Sequence, residues 1–340
     1  MSIKSILSLP FANYIVLKNK KWKNNATKYQ AKIFNNLIKN GKNTLFGKEH
    51  NFSSISTYSD FKKRVPINDY EGLSEYIEKI KNGENNILWP KKPIYFCKTS
   101  GTTSGTKYIP ISKESMPNHI VAARDAILSY ISETKNTSIV KGKMIFLQGS
   151  PTLSKTGDIL TGRLSGIVAH HIPSYLTKNR LPSFETNCIE EWELKVDKIV
   201  DETIDQKMSL ISGIPPWVQM YFEKLNKKSG KLIKDLFPHF DLFIYGGVNY
   251  EPYKNRFESL IGKSVDSVEL YPSSEGFIAY QDSQEEEGLL LCVNHGIFYE
   301  FIPSDEFFNE NPTRVSLEEV ELSVNYVIIL NTNAGLWGYN

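Results

Sequence analysis

The sequence has few cysteines, few arginines and no long apolar run, and each shortage excludes a class of protein. Its three cysteines, Cys97, Cys188 and Cys292, are scattered and form no CxxC pair. This pattern argues against a disulfide framework or a structural zinc site and favours a reduced, cytoplasmic protein. Only six residues are arginine, and the net charge is +2. Such a balance provides no general attraction to nucleic acid or to acidic membranes, so neither is expected as a partner.

The apolar residues near the start do not form a targeting or membrane segment. The stretch 6–17 is interrupted by Pro10 and Asn13 and is followed by lysines rather than by small residues. A signal peptide is therefore not expected. A membrane-spanning helix would need about 20 uninterrupted apolar residues, and no window of the sequence provides them.

The 340 residues, 40% of them apolar, are enough for a core of several layers. Apolar spacing predicts that Ser112 caps a helix with Ile120, Ala123, Ile127 and Ile131 on its buried face. The same spacing predicts helices at 25–40, 69–82, 190–204, 215–225 and 253–261. Short β-branched and aromatic runs predict strands at 94–99, 108–111, 144–147, 209–212, 242–245 and 265–271. From residue 277 onward, a meander is expected with strands at 278–280, 289–293, 297–302 and 326–330. The fold class is therefore α/β, a multilayer core of mixed sheets with an added β-meander or barrel part.

The segment between the first two predicted strands is rich in glycine and hydroxyl side chains and ends in a lysine. It contains Ser100, Gly101, Thr102, Thr103, Ser104, Gly105 and Lys107. Two glycines allow turns that point successive backbone N–H groups into one concavity, and a lysine adds a mobile positive charge, so the loop is suited to polyphosphate. Its spacing differs from the Walker pattern, and a strand rather than a helix follows. An ordinary polar hairpin turn is the alternative interpretation.

A second group of polar residues follows the predicted strand 265–271, where ligands of α/β sheets often bind. Tyr271 is followed by Ser273, Ser274 and Glu275. One carboxylate beside two hydroxyls is suited to holding Mg²⁺ against a phosphate, and the tyrosine ring could stack on a base. A purely structural turn is the alternative.

Two further features have weaker chemical meaning. Gly246 and Gly247 end another predicted strand and would let a flat ring approach the backbone, although a tight turn explains them equally well. His170 and His171 have no acidic residue at helical spacing, so a packed or surface pair is favoured over a metal site.

Taken together, the motifs TSGTTSGTKYIPIS, ELYPSSEGFIAYQ and NTNAGLW occur in an order that resembles the acyl-adenylate-forming superfamily. Within it, the sequence is similar to a bacterial-type member of the auxin-responsive promoter family of acyl-acid amido synthetases. The resemblance extends over essentially the whole chain through NTLFGKEHNF, NILWP, SGIPPW, YGGVNYEPY and GIFYEFIP. It implies the fold of the large N-terminal domain of acyl-adenylate-forming enzymes.

The resemblance also implies a reaction and a site. ATP would activate a small carboxylic acid as an acyl-adenylate, and an amine such as an amino acid, or a thiol, would then accept the acyl group. Lys107 and Glu275 would be catalytic, with Glu275 also holding Mg²⁺. The residues implied for nucleotide binding are Ser100, Gly101, Thr102, Thr103, Ser104, Gly105, Gly246, Gly247, Tyr271, Ser273 and Ser274. The acyl pocket is expected near 162–166 and 215–217.

The sequence departs from the family pattern after Trp337. Gly338 stands where the family has an arginine, and the following aspartate motif and the smaller lid domain are missing before Asn340. We therefore expect residues 1–335 to form the large adenylate-binding domain and 336–340 to begin a hinge. The corresponding hypothesis is a C-terminally truncated ligase with impaired activity. The alternatives are a non-catalytic remnant that binds nucleotide or carboxylate, and a phosphotransferase that uses the same loop.

Overall fold

A computed structural model describes residues 3–100, 105–172 and 178–340, which form a mixed α/β fold. In chain order its helices are α1 (Ile3–Lys23), α2 (Ala26–Gly41), α3 (Leu45–Glu49), α4 (Tyr58–Arg64), α5 (Tyr70–Lys81), α6 (Met116–Thr134), α7 (Leu164–Ala169), α8 (Phe184–Asn187), α9 (Trp192–Thr203), α10 (Pro215–Ser229), α11 (Ile233–Leu236) and α12 (Lys254–Ile261). Its strands are β1 (Tyr95–Ser100), β2 (Thr106–Ile111), β3 (Lys143–Phe146), β4 (Ser154–Thr156), β5 (Ile159–Gly162), β6 (Arg180–Leu181), β7 (Met208–Ser212), β8 (Leu242–Gly246), β9 (Asp266–Pro272), β10 (Phe277–Tyr280), β11 (Leu290–Leu291), β12 (Ile297–Pro303), β13 (Val315–Ser316) and β14 (Tyr326–Thr332).

The largest sheet has the strand order β11-β10-β9-β8-β7-β3-β6. Strands β6, β3, β7, β8 and β9 are parallel, and β10 and β11 add an antiparallel edge. Successive side chains of β7 point to opposite faces, so Leu210 joins the core beneath α1 and α6 while Ile211 joins the core beneath α9 and α10. Because the central strands are parallel, the loops after them meet at one edge of the sheet.

Helix α10 illustrates how local sequence positions these layers. Pro215 begins the helix, where a missing backbone N–H costs nothing, and Gly230 ends it with a φ of +69°. Between them, Val218, Phe222 and Leu225 recur at helical spacing and are fully buried against the sheet. The amphipathic pattern that predicts this helix thus also fixes which face covers the sheet.

Two smaller sheets complete the fold. The four-stranded sheet has the order β2-β1-β5-β4, with β1 antiparallel to β2 and parallel to β5. The three-stranded antiparallel sheet has the order β13-β12-β14. Helices α2 to α5 pack on the four-stranded sheet through a core that includes Phe46, Phe96 and Trp337.

Residues 336–340 pack against helices and strands that come earlier in the chain. Trp337 is fully buried and its Nε1 donates to the carbonyl of Leu88 at 2.9 Å. Tyr339 forms bridges to both Leu330 and Asn68. The segment is thus held by contacts with residues far from it in the chain, and the hinge assigned to 336–340 stays a prediction.

The predicted alternation of helices and strands in the α/β core is confirmed, but the N-terminal helix was not foreseen. Helix α1 continues through Pro10, which the sequence analysis took as an interruption. An interior proline costs about 3 kcal/mol because it removes a hydrogen bond and crowds the preceding turn. Burial of Ala12 and Ile15 in the core shared with α6 offsets this cost. Among the described residues, no helix is long and apolar enough to cross a membrane.

Two details of the sequence analysis are corrected. The N-cap of α6 is Ser115 rather than Ser112, because Ser112 forms a separate turn in which its Oγ accepts from the backbone N–H of Ser115 at 2.9 Å. The buried face of α6 includes His119 and Asp125. Of the four residues predicted for it, Ile131 is buried, whereas Ile120, Ala123 and Ile127 are only partly buried. Because polar side chains occupy part of the buried face, the spacing of apolar residues alone does not identify that face correctly.

The predicted meander is divided between two sheets. Strands β10 and β11 extend the large sheet, whereas β12 and β14 pair with each other in the three-stranded sheet. Sequential strands usually pair with their neighbours, but here the chain changes sheets after β11.

Candidate functional site

The first part of the site is the hairpin of β1 and β2. Thr99 pairs with Lys107, and Ser100 pairs with Thr106, so the loop begins and ends at adjacent positions. Gly105 has a φ of +89°, a conformation that glycine adopts without strain. Gly101, Thr102, Thr103 and Ser104 lie outside the described residues, as does the side chain of Ser100.

Lys107 is partly buried, and its ammonium lies 5.7 Å from the centroid of the Tyr70 ring. Within residues 3–100, 105–172 and 178–340, no carboxylate forms an ion pair with it. The tyrosine ring attracts the cation only weakly compared with a carboxylate. Lys107 therefore provides a positive charge that is free to pair with an anionic ligand.

The second part is the turn between β9 and β10. The backbone N–H and the hydroxyl of Ser273 both donate to the carbonyl of Gly276, at 2.9 Å and 3.1 Å, which closes a four-residue turn. Glu275 lies within this turn and is partly buried, and no hydrogen bond or ion pair to it is formed by the described residues. Tyr271 precedes the turn and is 49% exposed, so its ring is accessible.

The two hairpins are in direct contact. The thiol of Cys97 on β1 donates to the hydroxyl of Ser274 at 3.1 Å. Burial raises the pKa of this thiol to about 11, and the nearby Glu275 carboxylate adds to the shift. Burial also raises the pKa of Tyr339, again with a contribution from Glu275. Glu275 is thus electrostatically close to both the first hairpin and the C-terminal segment.

A cavity of about 410 Å³ lies between the hairpins. We call it the hairpin cavity; its polar lining comes from Thr99, Lys107, Tyr271, Ser273 and Glu275. Its volume falls in the usual range for small-molecule sites. The sequence analysis identified the two walls separately, and the structure brings them together around one space.

The remaining wall of the hairpin cavity was not anticipated. Ile278, Ile328 and Leu330 supply an apolar surface, and Tyr339 and Asn340 close the end. Tyr339 reaches this position because its backbone pairs with Leu330, with N···O distances of 2.7 and 3.0 Å in the two directions. No local pattern in the sequence signals such a bridge between a strand and the segment that follows it.

The chemistry of this lining fits a metal that a nucleotide also holds. In the described part of the chain, no group of three or more His, Cys, Asp or Glu side chains could hold a metal ion. Mg²⁺ commonly uses one or two carboxylates and takes its other oxygens from water and phosphate, so Glu275 with the Ser273 hydroxyl is a sufficient protein contribution.

Gly246 lies in a different place from the other predicted nucleotide ligands. It lines a second cavity of about 320 Å³, which we call the strand-end cavity because it lies at the carboxyl ends of β3, β7, β8 and β9. A Cβ atom at Gly246 would come within 2.3 Å of the carbonyl oxygen of Leu270, so strand packing alone requires glycine there. Gly247, with a φ of +77°, follows it in the turn.

Residues from both segments expected near an acyl pocket line the strand-end cavity. Arg163 and Ser165 line it from the loop and helix after β5, and Trp217 lines it from α10. The ring of Trp217 stacks on that of Trp192 with 4.1 Å between centroids. Gln148 also lines this cavity and was not singled out in the sequence.

His170 and His171 form separate contacts. The Nε2 of His170 is 2.8 Å from the carbonyl oxygen of Pro151, and the Nε2 of His171 is 3.0 Å from the hydroxyl of Tyr95. The two rings thus contact different neighbours.

Comparison with known proteins agrees with this architecture. Residues 18–186 match the GH3 family N-terminal domain, and residues 290–340 match the GH3 family central domain. The chain belongs to the GH3 family. Jasmonoyl–L-amino acid synthetase JAR4 of Nicotiana attenuata is 23% identical over 380 residues, covering 92% of this chain and 65% of the relative. Indole-3-acetic acid-amido synthetase GH3.4 of Arabidopsis thaliana is 22% identical, covering 93% of this chain and 63% of the relative. The chain thus spans about two thirds of the length of these GH3 proteins.

Solved structures share the fold. The GH3.15 acyl acid amido synthetase in complex with 2,4-DB superposes with a TM-score of 0.78 at 15% identity, covering 96% of this chain and 66% of that chain. A 2-hydroxyisobutyryl-CoA ligase in complex with 2-HIB-AMP and CoA gives a TM-score of 0.60 at 12% identity, covering 93% of this chain and 61% of that chain. The chain therefore shares its fold with an acyl acid amido synthetase and with a CoA ligase.

Proposed function

We propose that this chain contains the nucleotide site of an ATP-dependent ligase that converts a carboxylic acid to an acyl-adenylate and conjugates it to an amine, most simply an amino acid. The observation that supports this function is the hairpin cavity, where a lysine and a glutamate from distant segments, without ion-pair partners among the described residues, line one space of about 410 Å³. The names of the relatives, two amido synthetases and a CoA ligase, support the reaction class, with a thiol as the alternative acceptor.

Each lining residue has a chemical part in this proposal. The loop that ends at Lys107 would hold the triphosphate, and the ammonium would offset charge on the phosphate oxygens. Tyr271 would pack against the base, and Ser273 and Ser274 would position Glu275. Glu275 would hold Mg²⁺, which when bound supplies charge neutralisation at the phosphates. Gly246 and Gly247 would border the same ligand where it approaches the strand-end cavity.

The proposed chemistry is an in-line displacement. A carboxylate oxygen of the acid attacks the α-phosphorus of ATP, the bond from this phosphorus to the bridging oxygen breaks, and pyrophosphate leaves with that electron pair. The amine then attacks the acyl carbon, loses a proton and displaces AMP. The first step needs alignment and charge neutralisation rather than a strong acid or base. Residues 1–335 would form the domain that binds the adenylate, and the three free cysteines agree with a cytoplasmic setting.

Titration with ATP and with AMP tests the nucleotide site. Lys107→Ala should weaken ATP binding by about tenfold and AMP binding less, because a charge-assisted hydrogen bond is worth about 1.5–3 kcal/mol. Lys98→Ala is the matched control, since Lys98 is an exposed lysine on the same hairpin that does not line the cavity. Equal ATP affinities of the two variants would contradict the role of Lys107.

Two further measurements test the metal and the reaction. Glu275→Gln should reduce the gain in ATP affinity that Mg²⁺ provides, whereas Glu286→Gln in an exposed loop should not. Acid-dependent exchange of labelled pyrophosphate into ATP would demonstrate adenylation. Nucleotide binding without exchange would instead indicate a binding protein, and release of ADP would indicate a phosphotransferase.

A further inference from the structure

A third cavity, of about 290 Å³, lies beside the strand-end cavity and has a charged wall. Arg180, Asn187 and His170 line it, and Gln148 lines both this cavity and the strand-end cavity. We call it the arginine cavity. Its position extends the space at the carboxyl end of β3 toward β6.

The guanidinium of Arg180 has no acidic partner in the described part of the chain. Its Nη2 donates to Oε1 of Gln148 at 2.9 Å, and its plane lies 4.9 Å from the centroid of the Phe146 ring. Its Nε is buried without a hydrogen-bond partner among the described residues. Burial lowers the pKa of Arg180 to about 10, so the group stays protonated at neutral pH.

A second buried cation lies behind this wall. Lys195 is 2% exposed, and its Nζ donates to the backbone carbonyls of Gln148 at 3.0 Å and Asn187 at 2.6 Å. It fixes two walls of the cavity without neutralising any charge, because no described carboxylate forms an ion pair with it. Two carboxylates lie near this wall. Glu202 accepts hydrogen bonds from Ser183, which lines the cavity, and from Thr186. Burial lowers the pKa of Lys195, and Glu190 partly opposes this shift.

Gln148 and Asn187 also retain unused hydrogen-bonding capacity. Nε2 of Gln148 and Oδ1 of Asn187 are buried and unpaired within the described residues. Two donors and one acceptor without partners among the described residues thus belong to three residues that line the same cavity. Leaving buried polar groups unpaired destabilises a fold, and an unpaired buried charge does so more strongly. A ligand that supplies the missing partners would offset this destabilisation.

We propose that Arg180 and Gln148 form a carboxylate-binding subsite in the arginine cavity, separate from the nucleotide site. A carboxylate matches the planar fork of arginine with two parallel hydrogen bonds, which a neutral group cannot do as well. The proposal deepens the proposed function and rests on it for the source of the carboxylate. That source is either a second, distal carboxylate on the acid to be activated or the carboxylate of an acceptor amino acid.

Matched pairs of probes distinguish these sources by calorimetric titration of the chain in the presence of AMP. Adipate and hexanoate share a carbon skeleton and differ by one terminal carboxylate. L-Alanine and L-alaninamide differ only in the carboxylate that an acceptor would present. Each pair is compared in the unmodified protein, in Arg180→Met, in Arg180→Lys and in the control Arg256→Met, which removes an exposed arginine paired with Glu223.

We expect at least a tenfold preference for the carboxylate member of one pair. Arg180→Met should abolish this preference, Arg180→Lys should restore part of it, and Arg256→Met should leave it intact. A preference for adipate assigns the subsite to the acid, and a preference for L-alanine assigns it to the acceptor. If no pair shows a preference that depends on Arg180, the proposal is wrong.

Thermal unfolding without ligand provides an independent readout. If Arg180 is kept for a ligand, Arg180→Met should leave the midpoint unchanged or raise it, because an uncompensated buried charge is removed. A marked fall in the midpoint with unchanged carboxylate preference would show a structural arginine and overturn the proposal. Failure of ATP to bind the unmodified protein would contradict the proposed function alone, since the probe titrations judge the subsite separately.

Discussion

Glu300 and Glu275 lie in two regions of the same fold and have opposite surroundings. Glu300, in the three-stranded sheet, is fully buried and accepts hydrogen bonds from Nε and Nη2 of Arg314 at 3.0 and 2.8 Å. The hydroxyl of Tyr58 and the side-chain amide of Asn331 complete its partners at 3.0 and 2.8 Å. Glu275, beside the hairpin cavity, is partly buried and has no such partner among the described residues.

The same contrast separates the arginines of the two regions. Arg314 binds Glu300 and the carbonyl of Val65, whereas the neighbours of Arg180 among the described residues are an amide and an aromatic ring. Buried charges in the sheet region are satisfied internally, so they serve the fold. The charges of Glu275 and Arg180 lack an oppositely charged partner among the described residues, and this contrast is the basis on which we propose them as functional positions.

The largest loss of stability should come from breaking the buried ion pair of Arg314 and Glu300. Arg314→Met leaves the Glu300 carboxylate buried without its cation, and we expect the free energy of unfolding to fall by about 3–5 kcal/mol. Urea denaturation of the variant measures this. The control, Arg256→Met, removes an exposed ion pair with Glu223 and should cost less than about 1 kcal/mol.

A substitution of Glu275 should have a much smaller effect on stability. Glu275→Gln should change stability by no more than about 0.5 kcal/mol, because no internal partner is lost. A loss of several kcal/mol in Glu275→Gln, or a negligible one in Arg314→Met, would remove the distinction between the two regions.

The two hairpin motifs could be predicted from sequence because each is continuous in the chain. A glycine- and hydroxyl-rich run between two strands, or a carboxylate in a turn after a strand, is visible locally. The convergence of Lys107 and Glu275 depends on strand pairing across the whole fold and was available only through the family resemblance. Arg180 and Gln148 were missed because their significance lies in the partners they lack, and partners are a property of tertiary structure.

The packing of the C-terminal segment also could not be predicted from the sequence. Gly338 has a φ of +59°, and a Cβ atom there would come within 2.2 Å of the carbonyl oxygen of Pro66. In sequence it is recognisable only as a departure from the family motif. In structure it allows the backbone to dock against Asn68, whose N–H donates to the carbonyl of Gly338 at 2.7 Å.

Two glycines with positive φ angles, Gly338 in the packed C-terminal segment and Gly105 in the hairpin loop, allow a comparison of crowding. Gly338→Ala should destabilise the protein by about 3 kcal/mol, since left-handed strain adds to a backbone clash. Gly105→Ala should cost only about 1 kcal/mol, because its φ is +89° but no atom of the described residues would lie within 4 Å of the new Cβ. Thermal unfolding of both variants measures the difference, and equal costs would show that crowding at Pro66 is not decisive.

Two buried histidines outside the cavities also lack hydrogen-bond partners among the described residues, and they predict a pH dependence of stability. His119 and His295 are 3% and 5% exposed, and the Nδ1 atom of each lacks a partner among the described residues. Burial lowers the pKa of both to about 4; the neighbouring His295 lowers that of His119 further, whereas Asp125 partly opposes the shift at His295.

Because these pKa values are depressed, the unfolded chain binds protons below about pH 6.5 while the folded protein does not. Stability is therefore fully present above pH 6.5 and is lost as the pH falls toward 4, by about 1 kcal/mol per histidine at pH 5.5. Unfolding midpoints measured between pH 7 and 5 should fall less steeply in His119→Asn and His295→Asn than in the unmodified protein. The carboxylates are the same in the variants and in the unmodified protein, so parallel pH profiles would contradict the assignment of this pH dependence to the two histidines.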